Sequence, residues 1–238
     1  MYDVTKFMLQ AMTYRPEQIR AICFFPSHMI CADSVNMALF RLVEPLELDY
    51  ATEFPSKVGK IHRIRAGIRP SEFLLAGDRG LLLGFVDHDE NRIRTYKIVL
   101  KHLYCVDATV CGDSDIMALV ASEHNQLMSL KFYKVAYEDS QTTHVQSLPI
   151  CESNQTFFQM FKVADLLVMM SQSGLIAIDP VTGQLVEFGQ EAKAAPDLDS
   201  YYTVTQDKEK VSIMILCGHE RLNFMMRLDY GHFSNSVH

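Results

Sequence analysis

One pattern constrains what this chain can fold into: an apolar run, a short polar tip and a second apolar run, written five times. Its clearest copy is FLLAGDRGLLLGFVD at 73–87, where two leucine-rich runs flank a Gly-Asp-Arg-Gly tip. Gly and Asp accept the positive φ that a tight turn needs, so the pattern predicts two buried antiparallel strands joined by a turn. The other copies occupy 29–40, 117–132, 166–179 and 213–226. One tip residue from each, Asp33, Asp78, Glu123, Gln172 and His219, gives steps of 45, 45, 49 and 47 residues. A repeat of roughly 40–50 residues holding four strands is the signature of a β-propeller blade. The spacing therefore predicts an all-β chain of about five four-stranded blades, with these hairpins as the second and third strands. An incomplete propeller finished by a partner chain and an all-β sandwich are the alternatives.

The remaining strands fit around the hairpins. First strands are expected at 19–25, 61–68, 102–110, 156–163 and 201–205, and outer strands at 46–53, 93–100, 143–150 and 184–188. Pro45 and Pro55 bracket the first outer strand, as suits an edge strand flanked by loops. The fifth repeat shows no outer strand of its own. Residues 4–12, VTKFMLQAM, are read as that strand, closing a ring through the N-terminus. A docked helix with Val4, Phe7, Met8 and Ala11 on one face is the alternative. No tract rich in Gly, Ser or Pro divides the chain, so one domain over 1–238 is expected.

Charge and cysteine usage narrow the function classes. The formal net charge is −7, which argues against broad contact with a phosphate backbone. The six cysteines, Cys23, Cys31, Cys105, Cys111, Cys151 and Cys217, form no C-x-x-C pair and sit mostly inside apolar runs. Buried reduced thiols in a nucleocytoplasmic protein are the expectation. No apolar run approaches the roughly 20 residues of a membrane span. Asp3, Lys6 and Gln10 interrupt any signal-peptide pattern at the N-terminus. An intracellular location, cytoplasmic or nuclear, follows as an expectation.

The hairpin ICADSVNMALFRL at 30–42 resembles the middle strands of WD-repeat and WD-like propellers. The resemblance rests on period and pattern, since the chain contains no tryptophan and hence no Trp-Asp dipeptide. GLIAIDPVTGQLVEF at 174–188 is similar to a quinoprotein-type blade, with Ala177, Asp179, Thr182 and Gly183 at the expected relative positions. It is read as a propeller turn between third and fourth strands, not as a cofactor site. The WD-like resemblance implies a rigid ring presenting loops to other proteins, and so a non-enzymatic scaffold subunit of a multi-subunit complex. A propeller hydrolase or lactonase using a central-channel site is the alternative.

Candidate sites follow from that expectation. The paired tip residues Asp33 and Ser34, Asp78 and Arg79, Glu123 and His124, Gln172 and Ser173, and His219 and Glu220 are read as one docking face. The basic stretch KVGKIHRIRAGIR at 57–69 adds Arg63 and Arg65, which alternation aims to one side of a strand. They are expected to pair with acidic groups between blades, or else to meet an acidic peptide. DHDEN at 87–91 sets Asp87, Asp89 and Asn91 at alternate positions, as in a calcium loop. Arg92 stands where that loop needs glycine, so a solvated acidic turn is expected. Cys217, His219 and His232 lack zinc-type spacing. There is no G-x-S-x-G elbow and no glycine-rich phosphate loop. No cofactor, metal or catalytic residue is expected from these patterns.

Overall fold

In the computed structural model each of the five hairpins forms, and each lies at the second and third position of its sheet. The structure describes residues 19–43, 47–121, 127–138, 141–152, 157–163, 166–171, 174–180, 182, 185–187, 201–207, 210–216 and 223–229. The proposed closing strand at 4–12 and the polar loop at 191–200 lie outside them.

The chain divides into two compact units, Met1–Ser153 and Asn154–His238. The first holds three four-stranded antiparallel sheets. Sheet one is β1 (Ala21–Phe24), β2 (His28–Ala32), β3 (Asn36–Val43) and β4 (Glu47–Pro55). Sheet two is β5 (Ile61–Ala66), β6 (Glu72–Gly77), β7 (Gly80–Asp87) and β8 (Arg92–Lys101). Sheet three is β9 (Tyr104–Val110), β10 (Asp115–Ala121), β11 (Leu127–Ala136) and β12 (Gln141–Glu152). The second unit holds a four-stranded sheet, β13 (Phe157–Val163), β14 (Leu166–Ser171), β15 (Gly174–Ile178) and β16 (Leu185–Glu187). It also holds a three-stranded sheet, β17 (Tyr201–Asp207), β18 (Lys210–Leu216) and β19 (Asn223–Asp229). In every sheet the strands follow chain order from one edge to the other.

The continuous apolar runs exist because both faces of the middle strands are covered. β2 and β6 are buried at every residue. Alternation then sorts each run between two seams. In sheet two, Phe73, Leu75, Leu82 and Val86 join Ile30, Leu39 and Cys23 of sheet one in one cluster. Leu74, Ala76, Leu81 and Leu83 face the other way and join Ile116, Ala118, Val120 and Tyr133 of sheet three. The register places Leu75 opposite Leu82 and Leu74 opposite Leu83, so each cross-strand pair belongs to one seam. A fully buried leucine is worth about 2 kcal/mol. Gly84 lies opposite Phe73, and a Cβ there would collide with the Phe73 ring.

The first strands run side by side in this unit, β1 beside β5 and β5 beside β9. A charge pair ties β5 to β9. Arg65 donates from Nε to Asp107 Oδ1 at 3.2 Å and from Nη2 to Oδ2 at 2.6 Å. The Asp107 carboxylate is fully buried and also accepts the Ala108 amide at 2.9 Å. At the opposite margin β12 is exposed along most of 141–149, with Val145 63% exposed. Its pairing with β11 slips register at Met128/Ser129 and at Phe132/Tyr133.

Among the described residues Cys23, Cys31, Cys105 and Cys111 are thiols not joined in disulfides, the first three buried. Burial pushes the Cys23 thiol up to about 12 and raises that of Cys105 further. Cys151 and Cys217 carry no described side chain.

Removing one partner of a buried ion pair strands the other charge. Arg65→Ala is expected to lose about 3 kcal/mol of unfolding free energy in urea denaturation. The double replacement of Arg65 and Asp107 by leucine is expected to lose less. Equal stability of Arg65→Ala and the parent would show that the pair does not hold β5 to β9.

Candidate active site

Three turns of the first unit converge at the end of the sheets opposite the hairpin tips. They are the β1–β2 turn with Ser27, the β5–β6 turn with Ser71, and the β7–β8 turn with His88 and Asn91. Each is held by backbone bonds: Phe25 N to His28 O at 2.8 Å, Leu42 N to Ser27 O at 2.9 Å and Val86 N to Ser71 O at 2.8 Å. Ser71 and Asn91 adopt positive φ, 73° and 48°. Asparagine tolerates this region, but for serine it costs on the order of 1 kcal/mol and must be held by its surroundings.

The side chains form a continuous relay. Ser71 Oγ is hydrogen-bonded to His88 Nε2. His88 Nδ1 lies 2.8 Å from His28 Nδ1, and His28 Nε2 lies 2.9 Å from Asn91 Oδ1. Ser27 Oγ sits 3.1 Å from His88 Nδ1 and 2.9 Å from His28 Nδ1. The two rings are 4.8 Å apart between centroids.

Asn91 sets the direction of this chain of bonds. Its Oδ1 only accepts, so His28 carries its proton on Nε2 and leaves Nδ1 bare. Bare Nδ1 accepts the proton on His88 Nδ1, which Ser27 Oγ shares. His88 Nε2 is then unprotonated and accepts the Ser71 hydroxyl proton. Burial lowers the His28 pKa from its usual 6.5, and the charges of His88 and Arg41 act the same way against the bond to Asn91. A neutral His28 is what this sequence of donors and acceptors requires. The arrangement is a hydroxyl, a base and a group orienting the base, the logic of nucleophilic catalysis.

The flank of the β5–β6 turn is also tied down. Glu72 Oε2 accepts the Arg69 amide at 2.9 Å and the Tyr137 hydroxyl at 3.0 Å. The exposed Arg69 guanidinium lies 3.5 Å above the Tyr137 ring centroid. A fixed cation therefore stands two residues from Ser71.

The residues singled out from sequence go elsewhere. Asp33 is buried, and its Oδ1 accepts the amides of Val35 and Asn36, each at 2.7 Å. Ser34 O accepts the Ile61 amide at 2.7 Å. Asp78 Oδ1 accepts the Lys60 amide at 2.9 Å beside Gly59, whose φ is +74°. The first two tips thus meet around 58–61, the segment leading into β5. Arg79 is exposed at its side chain. Arg63 donates to the His62 carbonyl at 3.4 Å, and Arg65 is engaged by Asp107. Glu123, His124, Gln172, Ser173, His219 and Glu220 lie outside the described residues. Asp87 accepts the Glu90 amide at 3.2 Å and pairs with Arg94 at 2.8 Å, so it serves its own turn. Among the described residues no group of three or more His, Cys, Asp or Glu could hold a metal ion.

No protein-family model matches the chain, and no curated protein matches it in sequence. Solved structures do match its fold. That of Saccharomyces cerevisiae Sqt1 aligns with a TM-score of 0.58 at 12% identity, covering 91% of this chain and 59% of that one. A Lactobacillus plantarum protein aligns at 0.56 and 14%, covering 75% and 56%. A candidate 6-phosphogluconolactonase from Bacteroides uniformis aligns at 0.53 and 11%, covering 73% and 54%. This chain covers less than two thirds of each of them. The fold is that of a β-propeller.

One expectation is corrected by these findings. A chain without catalytic activity was expected because no catalytic motif stands in the sequence. A lactonase-type propeller shares the fold, so the architecture does not carry that exclusion. The physical reason is that a propeller assembles side chains from separate turns. Ser27, His28, Ser71, His88 and Asn91 meet without forming a linear motif, the bonded pair His28 and Asn91 standing 63 residues apart.

One buried and one half-buried imidazole, His28 and His62, give the fold a pH dependence. His62 donates from Nδ1 to the Cys105 carbonyl at 2.9 Å, and burial lowers its pKa from 6.5 as it does for His28. Unfolded, both rings take a proton near 6.5; folded, they take it at lower pH. The unfolded chain binds more protons in that window, so stability is full above it and is lost as pH falls through the folded values. Denaturation midpoints are expected to drop between about pH 7 and about pH 5, and to drop less in His28→Gln/His62→Gln. Identical slopes in parent and variant would remove these two rings as the cause.

Proposed function

We propose that this protein is a hydrolase of esters or lactones that uses Ser71 as nucleophile and His88 as base. The observation carrying this reading is the Ser71–His88 hydrogen bond at the head of the relay. As Ser71 Oγ attacks the substrate carbonyl, its proton passes to His88 Nε2. His28 Nδ1 accepts from His88 Nδ1–H throughout and keeps the ring oriented. Collapse of the tetrahedral intermediate expels the alkoxide, which takes the proton from His88 Nε2. A water molecule, deprotonated by His88, then hydrolyses the acyl-enzyme and returns Ser71. In a lactone the leaving oxygen stays tethered to the acyl group. The likeness to a lactonase-type fold is in keeping with this chemistry.

The test is hydrolysis of p-nitrophenyl acetate and of a simple δ-lactone, with covalent labelling by a fluorophosphonate. Ser71→Gly keeps the positive φ available, and with His88→Gln it is expected to lower kcat/KM at least 100-fold, on the order of a general-base contribution. Mass spectrometry should place the label on Ser71. Activity or labelling retained in Ser71→Gly would exclude Ser71 as nucleophile.

Protein docking at the hairpin tips is a second reading, favoured by the exposed Arg79 side chain. It belongs with the WD-like view of the chain as one subunit among protein partners. Charge reversal at Arg79 is expected to abolish binding of a co-purifying partner while the fold persists; unchanged binding would exclude this face.

A further inference from the structure

A groove of about 440 Å³ opens between the outer halves of sheets one and two, and none of the Ser–His relay residues is among its described lining. Its apolar wall comes from Met37, Phe54, Leu82 and Ile93. Met37 and Phe54 are cross-strand partners on β3 and β4, so they present one continuous surface. Three cations stand at the same groove: Lys57, just after β4, and Arg92 and Arg94 at the start of β8. Among the described residues no carboxylate lines it.

The cations are not equivalent. Arg94 pairs with Asp87 at 2.8 Å and with Glu90 at 3.3 Å, and Arg92 pairs with Glu90 and, at 3.9 Å, with Asp87. These carboxylates hold the two guanidinium groups in place at the turn. Both arginines remain partly exposed, 46% and 44% at their side chains, so donors are left on the solvent side. Lys57 is exposed and makes no hydrogen bond or ion pair among the described residues. Its ammonium is the cation able to take a new anion without giving up an old one.

We infer that this groove binds a small amphipathic carboxylate, with the acyl chain against Met37, Phe54, Leu82 and Ile93 and the carboxylate at Lys57. The volume falls in the range of small-molecule sites, about 300–1,000 Å³, and of the eight described lining residues five are apolar and three are cations. The opposite charge of ligand and rim supplies selectivity for acids over alcohols, and added salt weakens it. The site is independent of the proposed hydrolysis.

Calorimetric titration of the full chain with decanoate, below its micellar concentration, tests the inference. One saturable site is expected, with affinity falling at least tenfold in Lys57→Glu and at least tenfold for 1-decanol. Lys57 is exposed, so the variant should melt at the parent temperature, and a melting curve confirms that the loss is local. No saturable binding of decanoate would overturn the inference. So would equal affinity for decanoate and 1-decanol, or an unchanged affinity in Lys57→Glu. Binding of a short Phe-Glu peptide without binding of decanoate would also overturn it, and would make the groove a peptide site.

Discussion

A hairpin that is apolar on both faces cannot be satisfied by its own sheet. β6 and β7 bury leucines toward sheet one and toward sheet three at once, so sheet two is stable only as the middle of three layers. Every later feature of the first unit depends on that requirement. It forces the first strands β1, β5 and β9 alongside one another, and it brings the turns of neighbouring sheets within hydrogen-bonding distance. The polar groups trapped along these seams must then be matched. Asp107 is matched by Arg65 and by the Ala108 amide, and His62 by the Cys105 carbonyl. The cost of leaving any of them unmatched, about 1–3 kcal/mol or more for a charge, explains why the seams are specific as well as apolar.

The same seams create the Ser–His relay. Residues of the β1–β2 turn of one sheet bond to the β7–β8 turn of the next, as His28 does to Asn91. Arg69 and Tyr137 repeat that relation one sheet further on. Ser71 lies between these two contacts and belongs to the β5–β6 turn. One end of the relay is fixed by an amide oxygen, which has no proton to give, and this propagates through two rings to leave a base facing Ser71. Replacing a carboxylate by an amide as the final acceptor keeps the relay neutral, which suits a site where burial already disfavours charge on His28.

The fold was legible because burial on both faces writes itself as long apolar runs, and because the unit repeats. The five hairpins fell at the second and third positions of their sheets, and the expected first strands and the first four outer strands were met to within a few residues at most. The expected closing strand at 4–12 lies outside the described residues. β1 is shorter than its expected 19–25, and β12 longer than its expected 143–150. The relay was not legible, because each participating turn contributes only one or two residues and period alone does not show which turns touch. A weak signal existed. Pro26-Ser27 and Pro70-Ser71 stand 44 residues apart, close to the repeat, so both serines occupy equivalent β-turn positions. His88 and Asn91 lay inside DHDEN, where the alternating acids drew attention to calcium. Asp33 and Asp78 looked like surface groups but close their own hairpins and the neighbouring segment, a use of aspartate that tip sequences do not distinguish.

β12 carries a different kind of consequence. A long marginal strand with a free ladder edge is a template on which a second copy could grow a continuous sheet. This one is poorly suited to that use. Its two register slips bend the ladder, Pro149 supplies one amide fewer, and its exposed side chains are mostly hydroxyls and amides. A straightened, more apolar β12 would therefore make this margin a better template for a second copy while adding little to the core.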